Sequence, residues 1–174
     1  ARLVVACAAT GAVALVGAPV PGPTGRPNIA TLAVDAGGVA VAYRKMWLGA
    51  VEARRFDAGH RPAALTVDGW RLGLAICRDT GVEQHAADTA ALGIDAYLAG
   101  VVHHEEEVDV QQERAHRIAT THRLGVALAS FAGPTGGGYR RTAGRSASPR
   151  RYARRRRTRS PARGGQSHRP DASS

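Results

Sequence analysis

Two residues in this chain stand in contexts suited to covalent chemistry. Lys45 lies in Tyr43-Arg44-Lys45-Met46-Trp47-Leu48, and Cys77 closes the apolar run Leu72-Gly73-Leu74-Ala75-Ile76-Cys77 ahead of Arg78-Asp79. The thiolate form of cysteine is a potent nucleophile, and it is favoured at a helix N-terminus or beside a cation. Cys77 falls where an apolar strand ends and a helix from Glu83 approaches, with Lys45 as the candidate cation. Lys45 is the only lysine in the chain; arginine supplies every other fixed cation. With Glu52 sharing the site, such a set can attack a carbonyl or nitrile carbon and stabilise the oxyanion that forms. Taken singly, each residue has a plainer role: a core thiol, a solvated lysine, a surface acid paired with Arg54 or Arg55.

These side chains need a scaffold that brings strand ends together. Ala1–Ala9 reads as the end of a helix broken by Thr10-Gly11, and Ala12–Ala18 as a buried strand. Pro19–Pro27 carries four prolines and two glycines and reads as a loop. Asn28–Asp35 and Val39–Tyr43 are the arms of a hairpin turning at Gly37-Gly38. Leu48–His60 is irregular. Ala64–Val67 and Trp70–Ile76 form a second hairpin around Asp68-Gly69, a strong two-residue turn signal. Glu83–Leu92 is a short helix closed by Gly93, and Ala96–Ala99 a short strand. The longest helix runs from about Glu105 to Leu124. Val108, Gln111, Ala115, Ile118, Ala119 and His122 share one of its faces, acids crowd its first turn and Gly125 stops it. Val126–Ser130 follows as a strand, then a glycine-rich loop at Gly133–Gly138. Hairpins mixed with strand–helix–strand units predict an α/β (α+β) architecture, a mixed sheet with helices covering one face.

Composition narrows the function classes. The 174 residues make one domain, and a hydrophobic share of 44% supports a core. The net charge of +10 would point to a polyanionic partner, but twelve of the arginines lie between Arg140 and Ser174 with one acid, Asp171. Residues 1–139 hold twelve basic and thirteen acidic residues, a balance of −1, so the body needs no nucleic acid. Two cysteines, Cys7 and Cys77, exclude a disulfide framework. The uncharged stretch 3–20 is interrupted by Gly11, Gly17 and Pro19, which argues against a signal peptide or a membrane span. His103-His104-Glu105-Glu106-Glu107 matches no zinc spacing and reads as an exposed helix start. Gly136-Gly137-Gly138 lacks the Lys-Ser or Lys-Thr of a phosphate loop. No metal or cofactor is expected.

Taken in order, these segments resemble the nitrilase superfamily of carbon–nitrogen hydrolases over about residues 1–147. The family's lysine follows a tyrosine and arginine and precedes a leucine, as in Tyr43-Arg44-Lys45-Met46-Trp47-Leu48. A glutamate then precedes an aromatic and a glycine, matched by Glu52, Phe56 and Gly59. The nucleophile ends a strand before an aspartate, as in Ile76-Cys77-Arg78-Asp79. Val16-Gly17, Asn28-Ile29-Ala30, Arg114-Ala115 and Gly144-Arg145-Ser146 resemble further landmarks. The resemblance implies a four-layer α-β-β-α sandwich. It implies Cys77 as the nucleophile forming a thioester, Lys45 with the backbone N–H of Arg78 as oxyanion donors, and Glu52 as the acid that orients the lysine. True nitrilases usually follow the cysteine with tryptophan and glutamate; Arg78 and Asp79 stand here, so a small amide or N-carbamoyl substrate is expected rather than a nitrile. The resemblance implies a cytoplasmic protein with no membrane segment, whose intact relatives commonly form dimers and larger homo-oligomers.

Two departures accompany that resemblance. The family's general-base glutamate lies upstream of the first strand, and no acid precedes Asp35 here. The chain therefore reads as an N-terminally truncated, incomplete sandwich. It is expected to be inactive or nearly so, because loss of a general base costs ~100- to 10,000-fold. Residues 148–174 form an Arg/Ser/Pro-rich segment, including Arg154–Arg157, that is too polar to bury a core and is expected to be disordered. A reading-frame shift in a GC-rich gene explains its abrupt start. The alternative is a non-catalytic nucleic-acid-binding protein that acts through this basic arm by salt-sensitive phosphate contacts.

Overall fold

Alternating small and branched apolar residues separated by Gly-containing turns build two sheets, seen in a computed structural model that describes residues 2–135. The segment 148–174, the Gly144-Arg145-Ser146 landmark and residues 136–138 of the glycine-rich loop lie outside the described residues. Helix α1 (Arg2–Thr10) ends at Gly11, whose φ of +69° suits a residue without a Cβ. Strands β1 (Ala14–Val20), β2 (Asn28–Asp35) and β3 (Gly38–Arg44) form an antiparallel sheet in that order. Strands β4 (Ala63–Val67) and β5 (Trp70–Ile76) pair antiparallel. Their turn places Asp68 at φ +48° and Gly69 at φ +80°, the two left-handed residues of a type I′ hairpin. Strands β6 (Ala96–Val101) and β7 (Gly125–Ser130) then add in parallel, giving a mixed β4-β5-β6-β7 sheet. The parallel crossings are made by α2 (Glu83–Ala91) and α3 (Val108–His122).

The layers follow from what each element touches. Helix α1 lies on β2, strands β2 and β3 contact β5, and α2 and α3 cover the far side of the mixed sheet. This is an α-β-β-α order. Tyr97, Ala99 and Val101 of β6, Val126 and Leu128 of β7, and Ala86, Ala115, Ile118 and Ala119 of the two helices form the core beneath those helices. Packing there is close enough to demand a glycine: a Cβ on Gly73 would lie 2.5 Å from Ile94 Cδ1 and 2.6 Å from Thr89 Cγ2.

The expected elements are present, with four corrections. The single mixed sheet read from the element pattern alone is divided in two, as the four-layer sandwich implied by the resemblance requires, and β3 and β4 contact without sharing a ladder. The first strand lies two residues later than expected and includes Pro19; as an edge strand it tolerates a residue with no N–H. It alternates between exposed and half-buried positions and is not buried throughout. The turn expected to open the longest helix is a separate 3₁₀ turn, Glu105–Glu107, and α3 proper starts at Val108. His103 is 3% exposed, so the segment before that turn is not an exposed helix start throughout.

Candidate active site

The site is assembled where β3 and β5 end. Ile76 is still extended, but Cys77 turns into the left-handed region at φ +46° and begins a 3₁₀ turn, Cys77–Gly81. A non-glycine residue there costs about 1–2 kcal/mol, and such strain concentrates at functional sites. The bend leaves Cys77 half-buried with Sγ 3.7 Å from the carbonyl oxygen of Val102, just past the end of β6. Thr80 Oγ1 donates to the Cys77 carbonyl at 2.7 Å, and the Gln111 carboxamide of α3 lies 3.2 Å from the same hydroxyl. The turn is thereby anchored to a helix. Arg78 is exposed, and its N–H occupies the second position of the turn, where a helical donor has no partner within the turn.

Lys45 follows β3 and is held by its backbone on both sides. Its N–H donates to Ile29 O at 2.8 Å, and its carbonyl accepts from Gly59 N at 2.7 Å. The side chain is 2% exposed, so it is not a solvated lysine. Nζ meets both oxygens of Glu52, at 2.6 and 2.7 Å. Glu52 opens a short 3₁₀ turn, Glu52–Arg54, and its Oε2 also accepts the Gly49 N–H at 2.7 Å. Glu52 is thus Lys45's partner rather than a surface acid paired with Arg54 or Arg55. The pair is buried at its cationic end and reaches solvent at its anionic end, where the glutamate is 32% exposed.

Among the described residues no hydrogen bond joins Cys77 to Lys45. What their flanks share is Asp79, which is fully buried. Its Oδ1 accepts the N–H of Trp47 at 3.0 Å, and its Oδ2 accepts the N–H of Ile76 at 2.9 Å. Oδ2 also accepts the Tyr43 hydroxyl at 2.7 Å. Tyr43 Oη lies 2.9 Å from His85 Nε2 and accepts the Met46 N–H at 3.1 Å. His85 Nδ1 lies 2.9 Å from Tyr97 Oη. Burial, reinforced by the negative charge of Asp79, pushes the Tyr43 and Tyr97 hydroxyls far above the usual phenol range. Burial pushes His85 below its usual value, with Asp79 opposing.

Sequence reasoning brought forward Cys77, Lys45, Glu52 and Arg78 but not the Tyr43–Asp79–His85–Tyr97 network. The available signal was the helical spacing of His85 with the buried Ala86 and Thr89, which places a titratable ring on the packed face of α2. Among the described residues no group of three or more His, Cys, Asp or Glu could hold a metal ion. No described helix is long and apolar enough to cross a membrane.

Two facing sheets with helices on their outer faces give this chain the fold of solved amidases of the nitrilase superfamily. The solved structures similar to this chain include the NitN amidase of a Nesterenkonia species, at a TM-score of 0.69 and 24% identity over 83% of this chain. A mutant of that Nesterenkonia amidase, showing Michael addition of acrylamide at its active-site cysteine, aligns at a TM-score of 0.67 and 25% identity over 78% of this chain. Nit3 of Saccharomyces cerevisiae, a member of branch 10 of the nitrilase superfamily, aligns at 0.65 and 18% over 76%. The chain spans 61%, 55% and 49% of the lengths of those three structures. No protein-family model and no curated protein sequence matches it.

Proposed function

We propose that Cys77, Lys45 and Glu52 are the reacting group of a carbon–nitrogen hydrolase acting on small non-peptide amides or N-carbamoyl compounds. The observation that carries this reading is a buried ammonium, oriented by both oxygens of Glu52, on a loop tied through Asp79 to the strained Cys77 turn. In the reaction the Cys77 sulfur bonds to the carbonyl carbon, and the carbonyl π pair moves onto oxygen. Lys45 Nζ–H and the Arg78 N–H stabilise that oxyanion. Collapse breaks the C–N bond, the departing nitrogen leaves as ammonia or an amine carrying the proton that the Cys77 thiol gave up, and a thioester on Cys77 remains for water to cleave. The acrylamide adduct on the active-site cysteine of the Nesterenkonia amidase supports a reactive thiol as the nucleophile in a protein of this fold.

Both carboxylates described at this site are already committed. Glu52 is bound by Lys45 and Gly49, and Asp79 by Tyr43, Trp47 and Ile76. Each accepts three hydrogen bonds, which a proton taken from Cys77 or from the hydrolytic water would weaken, so neither is suited to be the general base. Without a further base, turnover by these residues falls ~100- to 10,000-fold. The test is incubation with an activated short-chain acyl ester followed by peptide mapping, beside an ammonia-release assay on acetamide. An acyl group on Cys77 and not on the buried Cys7, with ammonia release near background, is expected. Acylation at Cys7 alone, or at neither thiol, overturns the site. Ammonia release at a typical enzymatic rate of about 10 per second overturns the account of the base.

A further inference from the structure

The buried polar network beside Cys77 is larger than a strand-end cap requires, and its protons can be placed by elimination. The Tyr43 hydroxyl has one proton and three polar neighbours. Met46 N–H can only donate to it. Asp79 already accepts two N–H groups and faces no acceptor, the arrangement of a carboxylate, so it takes the Tyr43 proton. His85 Nε2 must then donate to Tyr43 Oη, which leaves Nδ1 bare to accept from Tyr97 Oη. The chain of donors runs one way, from Tyr97 through His85 and Tyr43 to Asp79. All four side chains are at most 2% exposed.

We propose that Asp79 is a positioning residue for the reaction, holding the Lys45 ammonium at working distance from Cys77, with Tyr43, His85 and Tyr97 holding Asp79 in turn. Its two oxygens grip the chain one residue before Cys77 and two residues after Lys45. These are charge-assisted hydrogen bonds in a dry setting, the kind that best fixes geometry. Asparagine is a close isostere, yet its NH₂ would confront donors where Oδ2 now accepts two of them. That swap loosens the join between the two loops without removing either chemical group. The inference rests on the reading of Cys77 as nucleophile and Lys45 as oxyanion donor.

The test is a double-mutant cycle on the rate at which an activated acyl ester acylates Cys77 in the full chain. Lys45→Ala alone is expected to slow acylation about 100- to 1,000-fold, the effect of losing an oxyanion donor. Asp79→Asn alone is expected to slow acylation at least about 10-fold while leaving iodoacetamide alkylation, which forms no oxyanion, within about 3-fold. In the Lys45→Ala background, Asp79→Asn is expected to add less than about 3-fold, because a residue that acts through the ammonium has nothing left to position once it is gone. Multiplying effects, or unchanged acylation in Asp79→Asn, overturn the positioning role while leaving the nucleophile intact. If Lys45→Ala has no effect, the hydrolase reading itself fails and this inference with it. Should Asp79→Asn not fold, ¹⁵N NMR of the unaltered chain decides. His85 must be the neutral Nε2–H tautomer near neutral pH, and an Nδ1–H tautomer or an imidazolium overturns the network.

Discussion

Replacing Tyr43 by phenylalanine deletes one oxygen and leaves three polar groups facing its place. His85 Nε2–H and Met46 N–H lose their acceptor, and Asp79 Oδ2 loses one of its donors. His85 and Asp79 are fully buried, so water does not replace the lost partner; Met46 is half-buried and rehydrates more readily. A buried group left without its partner costs about 1–3 kcal/mol, and more when it is charged. Two such groups set the expected loss at about 3 kcal/mol. For a domain of this size that lowers the melting temperature by roughly 10 °C. Urea unfolding with an unchanged m-value measures it directly. A loss below about 1 kcal/mol would mean that the hydroxyl is not the hub of the network, and the proton assignment would be wrong.

Two further outcomes follow from the same geometry. His85 titrates in the folded state below its ordinary 6.5, so the unfolded chain takes up the proton first. Stability is therefore full above about pH 6.5 and declines as pH falls through it, with His103 adding in the same direction. Tyr43 and Tyr97 titrate above 10, so the unfolded chain releases their protons first, and stability falls as pH rises past about 10. Urea midpoints measured across pH are expected to form a plateau between those limits, and a stability maximum at either extreme contradicts the assignment. The backbone at Cys77 offers a separate check. Cys77→Gly relieves the left-handed strain that Cys77→Ala keeps, so the glycine variant is expected to be more stable by about 1 kcal/mol. Equal stabilities in urea would show that the turn is not strained.

Most of the scaffold is legible from local chemistry. Asp68-Gly69 announces its hairpin because two consecutive left-handed residues are tolerated by few other pairs. The face of α3 bearing Gln111, Ala115, Ile118 and Ala119 is readable because burial follows the helical period. Partition into two sheets is implied by the resemblance to a four-layer sandwich but not by local pattern, since pairing between β3 and β4 is a tertiary choice. At the site, Lys45 and Cys77 stand out through their neighbours in sequence. Their connection does not, because Tyr43, Asp79, His85 and Tyr97 lie on four separate segments and converge only in the folded chain. His103 was misread as part of an exposed turn because its acidic neighbours dominate the local composition.

The most direct test compares two reactions at one sulfur in the unaltered chain and in Lys45→Ala. Acylation of Cys77 passes through an oxyanion, whereas alkylation by iodoacetamide does not, so only the first draws on the Lys45 ammonium as an oxyanion donor. Removing the ammonium is predicted to slow acylation about 100- to 1,000-fold while alkylation changes far less. Equal effects on the two reactions, or none on either, would contradict a shared Cys77–Lys45 site.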